Sequence, residues 1–261
     1  MKRVAAVSAL GALTLFATTV PASAAPKFAV TQATGANAAA IQGAVTAFRT
    51  DLGSAACVAG SSCRNIGWDG VPDERADPAF MPEGQFIGAG ALFRTPAPGI
   101  GVQVSGDTMT PFADPDLTDF GETNSTYVDA FEAFSAPRLF TSIGSNVIET
   151  RFVVPNTGTP ADTNGFGVVF SDVNTAGPTT MQYFNAKGKS LGTFVVPATA
   201  GQQTFSFLGV IFDKKRIARV LITQGTRGIA PGINDAPPAT DLVVTDDFMF
   251  GFPPRELKKT K

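Results

Sequence analysis

The chain predicts an all-β protein, an antiparallel β-sandwich carrying one α-helix near its N-terminus. Three observations carry that expectation. Across residues 166–252 short apolar runs alternate with Gly, Asn, Asp and Pro turns and close on Thr245-Asp246-Asp247-Phe248-Met249-Phe250-Gly251. Strands in such a ladder each cover one face of a shared core. The aromatic supply is 22 Phe against one Trp and two Tyr, and a ring without a polar atom serves chiefly as interior packing. Finally, one stretch alone shows a helical period, with Ile41, Val45, Phe48 and Leu52 spaced 4, 3 and 4 apart.

The elements follow in order. Met1-Lys2-Arg3 is a basic n-region, residues 4–19 are apolar and uncharged, and Pro21-Ala22-Ser23-Ala24 offers a small-residue cleavage pattern. Residues 1–24 therefore read as a signal peptide released after Ala24, which places the mature chain outside the cytoplasm, secreted or in the periplasm or cell envelope. No later run approaches the 18 or so apolar residues a membrane-spanning helix needs. Residues 25–252 then form one domain. Its helix, residues 36–52, has Asn37 as N-cap and Gly53 where a terminating glycine belongs.

Residues 54–88 hold Pro72, Pro78 and Pro82 and read as loop. Cys57 and Cys63, the only cysteines, should pair in an exported chain. Residues 91–94 and 100–104 read as two strands around the Pro96-Ala97-Pro98-Gly99 turn, and residues 106–126 as an irregular acidic loop. Further strands are expected at 138–141, 147–154, 165–170, 180–184, 191–196, 204–212, 217–223 and 242–250. The clearest hairpin joins 181–184 to 191–196 through Asn185-Ala186-Lys187-Gly188. Residues 253–261 form a basic tail beyond the fold.

Charge narrows the partners. The full chain carries −2, and loss of Lys2 and Arg3 with the leader leaves −4. Its densest basic runs, Lys214-Lys215-Arg216 and Lys258-Lys259-Thr260-Lys261, read as solvated charge, so nucleic acid is not an expected partner.

The run Arg64-Asn65-Ile66-Gly67-Trp68-Asp69-Gly70-Val71-Pro72-Asp73 resembles a signature of secreted bacterial proteins with an "INWDGVPD"-like motif. Similar blocks recur at Pro137-Arg138-Leu139-Phe140-Thr141, at Gly165-Phe166-Gly167-Val168-Val169-Phe170-Ser171-Asp172-Val173, at Phe207-Leu208-Gly209-Val210 and at Asp246-Asp247-Phe248-Met249-Phe250-Gly251. That group is functionally uncharacterised, and many members resemble exported proteins with C-terminal PEP-CTERM sorting signals. The resemblance implies a sandwich of jelly-roll type like that of carbohydrate-binding modules. Leu257-Lys258-Lys259-Thr260-Lys261 departs from the sorting-signal pattern, having no apolar anchor.

Catalysis finds little footing. The chain has no His, so Ser-His-Asp and Cys-His arrangements cannot be assembled, and no catalytic residue is assigned. A glycan-active hydrolase or lyase with paired carboxylates is the alternative to a non-catalytic binding protein. Binding of a glycan or another cell-surface component would draw on Trp68, Asp69 and Asp73, an aromatic platform flanked by planar acceptors. The same residues also fit a buried Trp anchoring a Pro-Gly turn. Tyr127 and Tyr183 are the other polar aromatics available for contact. Aspartate outnumbers glutamate 16 to 6, which suits turns and equally suits Ca²⁺ ligation at loop ends. The candidate structural Ca²⁺ site comprises Asp172 and Asn174 with Asp246 or Asp247, and hydrogen bonding of these Asp side chains to backbone amides is the competing reading.

Overall fold

The computed structural model describes residues 27–106, 118–252 and 254–257. The leader, its cleavage point, most of the acidic loop after Gly106 and the end of the basic tail lie outside the described residues.

Two antiparallel sheets face one another. In the first, β1 (Phe28–Gly35), β11 (Phe205–Phe212), β8 (Gly165–Ser171), β13 (Val244–Gly251), β5 (Phe140–Ile143) and β4 (Gly101–Val104) lie side by side in that order, with β2 (Cys63–Ile66) also paired to β13. The second runs β10 (Ser190–Val195), β9 (Thr180–Phe184), β12 (Arg219–Thr223), β6 (Val147–Phe152) and β3 (Ala91–Arg94). Stripped to β5-β13-β8-β11 over β6-β12-β9-β10, the order is that of a jelly roll, as the sequence predicts. A short extra pair joins β7 (Ala161–Asp162) to β14 (Arg255–Glu256).

Side-chain alternation builds the core. Phe166, Val168 and Phe170 of β8 and Leu208, Val210 and Phe212 of β11 point toward the second sheet. They meet Phe152, Met181, Tyr183, Val220 and Ile222 there, all buried. On the other side of the first sheet, Val169, Phe205, Phe207 and Met249 meet α1 (Ala38–Asp51). Asn37 caps α1, its Oδ1 accepting from the Ala40 N–H at 3.1 Å. Gly53 ends it at φ +113, a conformation that a Cβ would strain.

Glycine decides how closely α1 approaches. Gly167 and Gly209 are direct partners across β8 and β11, and the Phe48 ring lies on the floor they leave. A Cβ on Gly209 would sit 2.5 Å from that ring and one on Gly167 2.7 Å. Beside α1 a third layer of α2 (Tyr127–Ala130) and loops buries Phe120, Tyr127, Phe131, Leu139, Ile229 and Leu242. The outer face of the first sheet is thus covered, whereas that of the second keeps its alternate side chains partly exposed.

Several expectations change. The Pro96–Gly99 turn does not close a hairpin: β3 pairs with β6 in one sheet and β4 with β5 in the other, so the chain crosses between sheets there. β1 was not expected. Phe28 and Val30 are exposed on this edge strand and the half-buried positions are Thr31, Ala33 and Gly35, so no apolar alternation marks it. β2 lies inside the predicted loop, and the predicted tail is partly docked, Arg255 clasping Asp162 at 2.9 and 3.1 Å. The Cys57–Cys63 disulfide is present and ties the loop after α1 to β2.

Candidate functional site

The predicted binding trio around Trp68 is a structural node. Trp68 is 1% exposed, stacked on Phe140 at 3.9 Å and edge-on to Phe86, Phe93 and Phe248, so it offers no platform to a ligand. Its indole N–H donates to the Asp246 carbonyl at 3.0 Å. That bond matters because β13 changes partners here. Its Thr245 pairs with Phe140 of β5, whereas Phe248 already pairs with Ile66 of β2, and the register against β8 shifts between the two. Asp73 pairs with the buried Arg138 guanidinium, and Asp69 Oδ1 accepts the Arg138 backbone N–H at 3.3 Å. Both carboxylates therefore fasten the turn. Tyr127 and Tyr183 are also buried, their hydroxyls donating to backbone carbonyls of Ile233 and Phe166.

Asp246 and Asp247 occupy the bulge left by the register shift, and both are buried. Asp246 Oδ2 accepts the Ser135 backbone N–H at 2.8 Å; Asp247 Oδ1 accepts the Ser135 hydroxyl at 2.9 Å and its Oδ2 the Arg49 guanidinium at 2.6 Å. Burial, reinforced by Asp247, pushes the Asp246 carboxyl well above the ordinary carboxylate range. Asp69 Oδ2 also faces this cluster across Gly67, where a Cβ would crowd Asp247 Oδ1, Asp69 Oδ2 and Ser135 Oγ together. Burial, with the Asp247 charge adding to it, raises Asp69 to about 6 against the Arg138 hydrogen bond. An arginine and a serine hold Asp246 and Asp247 in place.

The structure separates the predicted Ca²⁺ set. Asp172 and Asn174 gather with Asp235 and Asp241, while Asp246 and Asp247 belong to the Arg49 cluster. Asp241 accepts the Asn174 and Thr175 N–H groups at 3.1 and 3.2 Å. Sequence reading overlooked Asp235 and Asp241 because their Pro-rich loop returns to Asp172 only through the tertiary fold.

The open outer face of the second sheet carries the most developed surface. Register places Leu92, Arg151, Arg219 and Phe184 in one row and Arg94, Glu149, Leu221 and Gln182 in the next. Glu149 is only 3% exposed because three guanidiniums surround it. Arg94 lies 2.8 Å from Oε1, Arg219 3.1 Å from Oε2, and Arg151 also contacts Oε1. Burial alone would raise the Glu149 pKa, but hydrogen bonds from Arg219 and Arg94 and the Arg151 charge together hold it below the usual range. One ionised carboxylate shared by three arginines leaves a local surplus of two positive charges on a chain that is negative overall.

The Arg219 guanidinium also lies over the Phe184 ring at 4.1 Å. Beyond Arg151 and Arg219 opens a cleft of about 300 Å³, walled by Leu92, Pro160, Asn185 and Gly188. Glu149 and Arg151 share a strand face in sequence, but Arg94 and Arg219 arrive from two other strands, so only the topology assembles the cluster. The chain matches no protein-family model, no curated protein and no solved structure.

Proposed function

We propose that this is an exported, non-catalytic jelly-roll protein that binds an anionic, carboxylate-bearing glycan on the open face of its second sheet. The reading rests on one observation, the arginine triad around Glu149 with Arg219 stacked on Phe184 beside the 300 Å³ cleft. Planar guanidiniums match carboxylates two bonds at a time. Glu149 braces all three arginines while consuming only one of their charges, so their forks stay oriented. The Arg219–Phe184 stack presents a flat amphipathic surface suited to the apolar face of a sugar ring. Export is supported by the leader-like residues 1–24 and by the Cys57–Cys63 disulfide, a bond rare in the reducing cytosol.

The test is titration of the chain beginning at Ala25 with polygalacturonate, alginate and neutral glucans, with Arg151→Ala and Arg219→Ala in parallel. Acidic glycans should bind and weaken as salt rises, and each variant should lose about tenfold in affinity or more, roughly 1.4 kcal/mol. Arg151 is 44% exposed in its side chain, so its removal should leave the melting temperature nearly unchanged. Equal binding of neutral and acidic glycans, or full binding by both variants, refutes the reading.

A further inference from the structure

We propose that Asp172 and Asp235 hold a divalent cation of the Ca²⁺ class beneath the loop that carries Asp241. Asp172 is 0% exposed, and neither of its carboxylate oxygens has a hydrogen-bond partner. Asp235 Oδ2 is likewise buried without a partner, although its Oδ1 accepts the Leu242 N–H at 2.8 Å. Three buried carboxylate oxygens without donors are costly in a protein interior, where such groups are otherwise bonded or paired. The Asn174 amide is engaged on its oxygen side, Oδ1 accepting the Gly201 N–H at 2.9 Å, and its Nδ2 has no hydrogen-bond partner.

The contrast inside the same molecule is informative. Asp246 and Asp247 are buried to the same degree, and there Ser135 and the Arg49 guanidinium meet them directly. At Asp172 burial raises the carboxyl, and the neighbouring charges that add to it are two further carboxylates, Asp235 and Asp241. Asp241 is committed to the Asn174 and Thr175 amides, which leaves Asp172 and Asp235 facing each other. A cation between them resolves the repulsion that Arg49 resolves at the other site.

The donor chemistry selects the ion. Asp172 and Asp235 offer unpartnered oxygens, and the chain has no His, while both Cys are spent on the disulfide. That set suits a hard cation with a flexible shell and disfavours zinc or copper. Among the described residues no three carboxylates stand already gathered as a finished cage, so the ion takes two carboxylates and completes its shell with neutral oxygens and water. Access is through a cleft of about 260 Å³ on the outer side of Asp235, lined by Thr126, Asp129, Gln202 and Asn234, each with a side-chain oxygen.

The experiment strips the chain from Ala25 with EDTA and titrates it with CaCl₂ by calorimetry to about 5 mM, above the roughly 10⁻⁴ to 10⁻³ M range of extracellular Ca²⁺ modules. Melting curves are recorded in parallel. One equivalent should bind, and at about a hundredfold excess over Kd the melting temperature should rise by about 5 °C or more. Asp172→Asn and Asp235→Asn should each lose at least about tenfold in affinity, and Asp172→Asn should melt no lower than the wild type in EDTA because a buried charge is gone. Absence of Ca²⁺ binding by the wild type, with superimposable melts, overturns the proposal and leaves the two carboxyls sharing a proton. Binding unchanged in both variants overturns it too, since the ion then sits elsewhere. Should one variant fail to fold, the other and the wild-type titration decide.

Discussion

The packing of Phe48 against two facing glycines yields the sharpest prediction. Gly209→Ala places a methyl 2.5 Å from the Phe48 ring, and Gly167→Ala one at 2.7 Å, against the 3.4 to 4 Å of ordinary contact. Neither glycine has a positive φ, so the backbone accepts alanine and the clash is purely one of packing. Overpacking of this kind costs about 1–3 kcal/mol, offset by about 0.5–1 kcal/mol from removing glycine's excess chain entropy in a strand. Gly209→Ala should therefore destabilise by about 1–2 kcal/mol. Phe48→Ala alone, emptying a fully buried site, should cost about 3–5 kcal/mol. In the Phe48→Ala background the ring is gone, and Gly209→Ala should turn neutral or mildly stabilising. The double-mutant cycle then shows a coupling of about 2 kcal/mol, read from urea midpoints at constant m-value. Additivity of the two substitutions within about 0.5 kcal/mol would mean that α1 does not rest on the glycine floor, and the docking argument would fail.

Two further expectations concern single groups. Burial, with the neighbouring Glu122 charge, raises Asp77 to about 6, even though Gln103 Nε2 donates to it at 2.9 Å. Because the folded pKa lies above the unfolded one, the folded chain binds the proton more tightly between pH about 4 and about 6. Stability from this group falls as pH rises through that window and is level above it. Asp77→Asn should accordingly stabilise by about 1 kcal/mol at pH 7.5, a figure discounted for partial solvent screening, and make no difference near pH 3.5. Equal effects at both pH values would contradict the assignment. As the only tryptophan, Trp68 reports its own burial: acrylamide should quench the native protein with a Stern–Volmer slope several-fold below that in urea. Equal slopes would place the indole at the surface.

The helix was legible because its cues are local. Ile41, Val45, Phe48 and Leu52 keep one face, Asn37 supplies the cap and Gly53 the exit, all within a few turns of chain. The sandwich was legible for a similar reason, since strands buried on one or both faces print their period into the apolar pattern. β1 escaped notice because an exposed edge strand needs no such pattern, and the Pro96–Gly99 turn misled because a tight turn does not specify which sheet receives each arm. Cys57 and Cys63 were pairable because they are the only two cysteines, in a chain that reads as exported.

The sites depended on contacts between residues far apart in sequence. The lone Trp68 fitted either a sugar platform or a buried anchor of its turn, and only the fold decides for the anchor, four Phe rings enclosing it. Asp246 or Asp247 looked like a partner of Asp172 and Asn174 around a Ca²⁺ ion, but the bulge in β13 turns both toward Arg49 and Ser135. The charge of Glu149 acquires its meaning only when β3, β6 and β12 lie side by side and bring Arg94, Arg151 and Arg219 to one carboxylate. Local propensity and hydrophobic period determine which segments become helix or strand. Which charges meet is decided by strand order and register, because electrostatic partners are chosen through space, between residues up to 198 positions apart for Arg49 and Asp247.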